Sequence, residues 1–238
     1  MTITERELDS AVAAFVDQAT AQAERAFRVF RETGTITANG TVGFVERVPG
    51  HPDTVVVLND PGPWADDRSV RPSVARLDGT VLLGPAGAAG GALRFAPIFL
   101  ARPEITTVSH IHTPYLGAWS QTQRSLPISY VPVQRHTLAR ELPIYIDRRQ
   151  DEAEFIVEQI TENPHLFAIL EANGGSTVWG WDGLQATAEV ILLLEEGAQL
   201  QILAEAIGGS RPFGPGVLAQ QWKMGGLTEQ AKALGLLR

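Results

Sequence analysis

Apolar residues recur every three or four positions at Leu8, Val12, Phe15, Ala19, Ala23, Ala26 and Phe30, which is the stripe of an amphipathic helix. Thr4, with Glu7 three residues on, predicts a capping box at its start, and Gly34 predicts its stop. The pattern then changes. Gly40 to Val48 mixes Thr, Val and Phe, and Thr54-Val55-Val56-Val57-Leu58 is a β-branched run between Pro52 and Asn59-Asp60-Pro61-Gly62, so both segments predict strands. Leu77-Asp78-Gly79-Thr80-Val81 predicts a tight turn between two short strands, and the Gly/Ala-rich stretch 84–92 a loop.

Further along, Leu93 to Ala101 predicts a short helix despite Pro97, and Ile105 to Ser109 a buried strand leading into His110. Asp151 to Thr161 places Phe155, Ile156 and Ile160 at helical spacing. Phe167 to Leu170 and Ser176 to Trp179 read as strands around the turn Asn173-Gly174-Gly175. Asp182 then reads as the cap of the longest helix, with the stripe Leu184, Ala188, Ile191, Leu194, Ala198, Ile202 and Ala206 and a stop at Gly208-Gly209. The alternation of helices with strands predicts a mixed sheet covered by helices, with no internal repeat. One domain over 1–238 is expected, with 208–238 as an extension packed on the core or on a subunit interface. The tail Arg211-Pro212-Phe213-Gly214-Pro215-Gly216 and Gln220-Gln221-Trp222-Lys223-Met224 is too apolar for a loose end.

Composition narrows the chemistry. Apolar residues make up 44% of the chain, enough for a core and too many for a disordered segment. There are no cysteines, which excludes disulfide staples, thiolate catalysis, iron-sulfur clusters and cysteine-ligated zinc, and leaves His, Asp, Glu, Gln and Tyr for metal or proton work. A net charge of -8, from 19 basic and 27 acidic residues, argues against nucleic acid as a partner. The first residues are polar and no apolar run reaches membrane-spanning length, so no membrane partner and a cytoplasmic location are expected.

The sharpest local signal is Ser109-His110-Ile111-His112-Thr113-Pro114-Tyr115, directly after an apolar strand. Residues two apart on a strand point the same way, so His110 and His112 can meet one metal ion. His51 and His165 lie in Gly-His-Pro and Pro-His-Leu contexts that read as solvated loops, whereas His136 follows Val133-Gln134-Arg135 near the end of an element. Tyr115 is the foremost tyrosine for proton donation, ahead of Tyr130 and Tyr145. Arg135, Arg140, Arg148 and Arg149 can recognise a carboxylate. Trp64, Phe95, Tyr115 and Trp119 can line an aromatic substrate's pocket. In the mid-helix pair Glu195-Glu196, one carboxylate is expected to face a neighbouring subunit.

The stretch Phe99 to Tyr115, with Arg102-Pro103, the strand, His110-x-His112, Pro114 and Tyr115, resembles the class II aldolase and adducin head superfamily. The likeness extends to Thr35–Pro49, Leu77-Asp78-Gly79, Leu126-Pro127, Asn173-Gly174-Gly175 and the helix with Glu195, about residues 10 to 207. It implies a three-layer α/β/α domain around a mainly antiparallel sheet, a homotetramer with sites between subunits, a divalent metal (Zn or Fe(II), with Mn a further option) and a small-molecule substrate.

The departures from the pattern decide the functional expectation. His110 and His112 match two metal ligands, but the third ligand falls at Gly174, the catalytic glutamate at Gly91 and the phosphate-holding serines at Ala89 and Gly90; the Gly-Asn-x-Ser segment reads Gly40-Thr41-Val42-Gly43. His136 is the first replacement for the third ligand and Glu171 the second. Tyr115 and Glu171 are the expected catalytic groups, and Trp119 and Arg135 the expected substrate contacts. The first reading is a metal-dependent lyase, of aldolase or decarboxylase type, acting on a small oxygenated and non-phosphorylated substrate. A second is a non-haem Fe(II) oxygenase or oxidative decarboxylase acting on an aromatic 2-oxo or 2-hydroxy acid, as among the oxygenases of aminocoumarin pathways in this superfamily. A third is a non-catalytic, adducin-like assembly domain.

Overall fold

The computed structural model describes residues 8–85 and 87–237. Helix α1, Ser10–Glu32, buries Val12, Val16, Ala19, Ala23, Ala26, Phe27 and Phe30, the predicted stripe with Val16 and Phe27 added and Phe15 at its margin. The expected capping box at Thr4 and Glu7 lies outside the described residues. The helix is instead capped by Asp9, whose carboxylate accepts the Ala11 N–H. Gly34 stops it in the left-handed conformation, φ +70, and the following Thr35 N–H returns to the Phe30 carbonyl.

Strands β1 (Val42–Arg47), β2 (Thr54–Asn59), β3 (Ser73–Arg76) and β4 (Val81–Leu83) form an antiparallel meander. The turn between β3 and β4 is the predicted one, with Gly79 at φ +89 and Asp78 accepting the Thr80 N–H. Helix α2 spans Gly90–Ala101, so the expected loop gives up its last three residues to the helix, whose interior holds Pro97. Then follow β5 (Thr107–Ile111), α3 (Pro114–Ser120), and the two-residue strands β6 (Leu126–Pro127) and β7 (Glu141–Leu142), which pair across the 3-10 turn Val131–Arg135. Next come β8 (Ile144–Tyr145), α4 (Glu152–Glu162), β9 (Ala168–Glu171), β10 (Ser176–Gly180) and α5 (Gly183–Glu205), with α6 (Val217–Met224) and α7 (Thr228–Ala233) closing the chain.

The sheet runs β4-β3-β2-β1-β5-β10-β9-β8 and is antiparallel at every junction except β8–β9. Its two faces can be assigned by strand parity. Phe44 of β1 stacks on Phe27 and Phe30 of α1, with ring centroids 5.7 and 6.4 Å away, so α1 covers that face together with α5, which packs against it. Val45 and its partner Val57 point the opposite way, toward Gly91 of α2, where a Cβ would stand 3.1 Å from Val57. Helices α2 and α4 pack together on this second face. The three-layer α/β/α arrangement with a mostly antiparallel sheet is therefore as expected. It also explains why Thr54 to Leu58 is buried throughout: both faces of β2 are covered.

Two local expectations are corrected. Asp182 sits at the start of α5 without capping it by its side chain; Thr106 accepts the Gly183 N–H at 3.0 Å and the Glu46 carboxylate accepts the Leu184 N–H at 3.1 Å. Helix donors left over by the turn are thus satisfied from neighbouring strands. The α5 stripe is also shorter than its sequence implies. Leu184, Ala188, Ile191, Leu194 and Ala198 are buried, Ile202 is half-buried and Ala206 is exposed, because the helix outruns the sheet beneath it. At the C-terminal end, Trp222 of α6 is buried against Leu138 and donates its indole N–H to the Thr137 carbonyl. Among the described residues no helix is long and apolar enough to cross a membrane.

Candidate metal centre

The register of the sheet builds the site. His110 of β5 lies opposite Gly43 of β1 and Thr177 of β10, which places its ring on the α2/α4 face. His112 follows just beyond the strand, its backbone fixed by an N–H to the Thr41 carbonyl at 3.0 Å and a carbonyl accepting the Thr37 N–H at 3.2 Å. The two imidazole rings are 5.1 Å apart, edge to face. Gly175 is required beside them: a Cβ there would overlap the Ile111 carbonyl and come within 2.5 Å of His112 Cδ2.

Two carboxylates join them from other elements. Glu171, the last residue of β9, is buried, with Oε1 2.7 Å from His110 Nδ1 and Oε2 3.3 Å from Arg148 Nη1. Glu152 opens α4, which Asp151 caps through the Ala153 N–H. Its Oε2 accepts from Arg94 Nε at 3.0 Å and also pairs with Arg94 Nη2. The Thr177 hydroxyl stands 2.6 Å from Glu152 Oε1 and 3.2 Å from Glu171 Oε1, and has one proton to give, so it favours Glu152.

Burial pushes the Glu171 carboxyl up, but the hydrogen bond and charge of His110, with Arg94 and Arg148, outweigh it and hold the group at about 2. Burial pulls His112 down, helped by the charges of His110 and Arg94 and resisted by Glu171, which favours the neutral imidazole with a lone pair to donate. Ligand atoms of His110, Glu152 and Glu171 all lie within 4.8 Å of one another. One imidazole and two carboxylates, with a second imidazole alongside, is a donor set that fits a divalent cation such as Zn, Mn or Fe(II).

The remaining predicted residues fall elsewhere. His136 ends the 3-10 turn and lines a separate cavity of about 550 Å³ with His165, Trp181, Asp182 and Glu189; Trp179 and Gly180, at the far end of β10 from Thr177, close it. The turn packs against α5 and α6, which holds His136 away from His110. Arg135 donates its Nε–H to Gln221 at 2.7 Å. Trp119 is buried and its indole N–H is shared between the Arg124 and Ser125 carbonyls. Tyr115 accepts Gln199 Nε2 on its hydroxyl at 3.0 Å. Glu195 faces its own chain, accepting from Thr113 Oγ1 and from the Tyr115 and Leu116 N–H groups, while Glu196 accepts the Tyr130 hydroxyl. Of the four aromatic candidates, Phe95 lines the cavity of about 450 Å³ beside His110, and Trp64 is exposed to solvent.

Sequence reasoning missed Arg94, Glu152 and Thr177. A signal for Arg94 existed: it lies three residues after Gly91, on the same helix face. Thr177 has the parity of a residue directly opposite His110, but only the register reveals that. Glu152 read as an ordinary acidic residue in a first helical turn.

Residues 23–202 match the protein family described as Class II Aldolase and Adducin N-terminal domain. No curated protein matches the chain. Among solved structures, it is similar to the L-fuculose 1-phosphate aldolase from Glaciozyma antarctica PI12, at 21% identity and TM-score 0.68 over 98% of this chain and 93% of that one. It is similar to an aldolase II superfamily protein from Pseudomonas syringae, at 19% identity and TM-score 0.66 over 96% and 93%. An L-fuculose-1-phosphate aldolase from Thermus thermophilus aligns at 17% identity and TM-score 0.61 over 82% and 98%. At these identities the structural likenesses speak for the fold, whereas the family match extends over most of the chain. With its His-x-His strand, three-layer architecture and sheet order, the chain belongs to the class II aldolase and adducin superfamily.

Proposed function

We propose that the chain is a metal-dependent lyase, of aldolase or decarboxylase type, that cleaves a carbon-carbon bond in a small oxygenated, non-phosphorylated substrate. The observation that carries this reading is the approach of His110 to Glu171 at 2.7 Å, with His112 and Glu152 beside them. His110 and Glu171 hold the cation, and His112 is the further donor beside them. Bound there, a divalent cation supplies Lewis acidity toward a substrate carbonyl or hydroxyl. Glu171 stays ionised as a donor. Glu152 is the carboxylate placed to take or return a substrate proton, because Gly91 has no side chain and Glu152 stands beside His110 and Glu171. The absence of a phosphate site is supported by the start of α2, where Ala89 and Gly90 offer no side-chain donor. We further propose a homotetramer in the cytoplasm.

A second reading has its own observation. His110, His112 and Glu171 form a set of two imidazoles and one carboxylate, the combination that suits Fe(II) with open positions for O₂. The test is elemental analysis of protein purified without chelator, then reconstitution with Fe(II), Zn(II) and Mn(II) and assay with and without O₂. The lyase reading expects about one equivalent of metal and turnover without O₂. Selective iron uptake with strict O₂ dependence replaces the lyase by the oxygenase, and no uptake under any condition moves the chain to the non-catalytic assembly role.

A further inference from the structure

We infer that Arg94 holds the cation's place in the metal-free protein and, once a cation enters, turns into the adjoining cavity to bind a substrate carboxylate. This rests on the metal reading above and goes beyond it by naming a competitor within the site and the class of substrate.

The geometry is specific. Arg94 Nη2 pairs with Glu152 Oε2, lies 3.8 Å from Glu171 Oε1 and 3.5 Å from His110 Nδ1. One guanidinium nitrogen therefore faces all three groups whose ligand atoms cluster for a metal. Two buried carboxylates need a positive charge near them, and here Arg94 supplies it from α2 while Arg148 covers the outer oxygen of Glu171. A guanidinium keeps its proton at any working pH, so it and a divalent cation cannot share these donors without strong repulsion.

When the cation enters, the adjoining cavity is open to Arg94. Its side chain is 42% exposed and already lines the cavity of about 450 Å³ beside His110. Small residues, Gly43 and Gly91 among them, form part of that cavity's walls, and among the described residues Arg94 is its one Lys or Arg; the cavity's acid, Asp60, is already paired with Arg31. A freed guanidinium there presents a planar fork that matches a carboxylate. The substrate class is therefore a small 2-oxo or 2-hydroxy acid, its carboxylate on Arg94 and its oxygen at carbon 2 facing His110 and Glu171. Metal binding and acid binding become coupled: each favours the same position of Arg94.

The test titrates chelator-treated wild type, Arg94→Gln and Arg94→Lys with Mn(II) by calorimetry, then adds pyruvate to the loaded and metal-free proteins. Arg94→Gln is expected to bind Mn(II) at least roughly tenfold more tightly than wild type, because the competing charge is gone, whereas Arg94→Lys stays near wild type. Pyruvate is expected to bind only Mn-loaded wild type and Arg94→Lys. If wild type binds Mn(II) and Arg94→Gln binds it no more tightly, the exchange is overturned while the metal reading stands. If pyruvate binds loaded Arg94→Gln as well as wild type, the carboxylate role is overturned. No Mn(II) binding by any variant removes the metal reading itself, and the inference with it. If metal-free Arg94→Gln lacks a cooperative thermal transition, Mn(II) is expected to restore one; failure to restore it also overturns the exchange.

Discussion

Glu46 is a carboxyl that the site does not use, and its position makes it a reporter of pH. It is buried beneath the start of α5, with Oε1 on the Leu184 N–H and Oε2 without a partner among the described residues. Burial outweighs the Leu184 hydrogen bond and raises the group from the usual carboxylate value of 4.5 to about 7. A raised folded-state value means that the folded protein holds this proton more tightly than the unfolded chain. The Glu46 contribution to stability is thus complete below pH 4.5 and is lost as pH rises through about 7, by on the order of 3 kcal/mol. Glu46→Gln should remove that slope, so denaturant melts of the variant and wild type should converge at pH 5 and separate at pH 8, with the variant more stable. Parallel melts at both pH values sink this account. At the metal centre, His110→Ala and Glu171→Gln should each weaken Mn(II) or Zn(II) binding by more than the roughly 10–100-fold that an outer-shell partner costs. His136→Ala, in a different cavity, should leave the affinity measured by calorimetry unchanged.

At the scale of elements, α3 shows how one side chain can seat a helix. Thr113 stands at its N-cap without making the usual side-chain bond, and the first-turn donors go instead to Glu195 from α5: Tyr115 N–H at 2.7 Å and Leu116 N–H at 2.9 Å. The carboxyl accepts all three bonds in a buried setting, so Glu195→Ala strands two amides and a hydroxyl and should cost about 2–4 kcal/mol in denaturant unfolding. A loss below about 0.5 kcal/mol would show that water satisfies these donors instead. The β9–β10 turn is equally constrained. Gly175→Ala should push on the Ile111 carbonyl and the His112 ring together, lowering stability and metal affinity in the same variant, whereas Gly174→Ala meets only contacts of 3.4 Å or longer and should be tolerated. Thermal melts and Mn(II) titrations of the pair distinguish them.

For the molecule as a whole, the C-terminal segment and the candidate metal centre lie on different parts of the fold. Trp222 anchors α6 to the segment after the 3-10 turn, and Gly225, Leu227 and Gln230 close one side of the His136 cavity. Trp222→Ala should cost about 3–5 kcal/mol and raise amide exchange across α6, α7 and residues 131–139, with little change around His110 and Glu171. Exchange spreading to β5 and β9 would instead show the two regions to be energetically joined.

What the chain's own pattern determines is whatever depends on neighbours in sequence. The apolar stripe of α1, the β-branched run of β2, the turn at Asp78-Gly79, the helix opening at Asp151 and the strand carrying His110 follow from periodicities of 3.6 and 2 and from turn chemistry, so they are legible without any fold. The short elements α3, α6 and α7 are not, since six to eight residues hold too little periodicity and α3 takes its cap from a residue 82 positions away from Thr113. Half of the candidate metal centre is likewise readable. His110 and His112 are two apart and share a face, but Glu152, Glu171, Thr177 and Arg94 reach them only because β5 pairs with β10, β10 with β9, and α2 packs on α4. The choice between His136 and Glu171 turns on the same physics: both are suitable ligands as residue types, and only sheet register and helix packing decide which one stands 2.7 Å from His110.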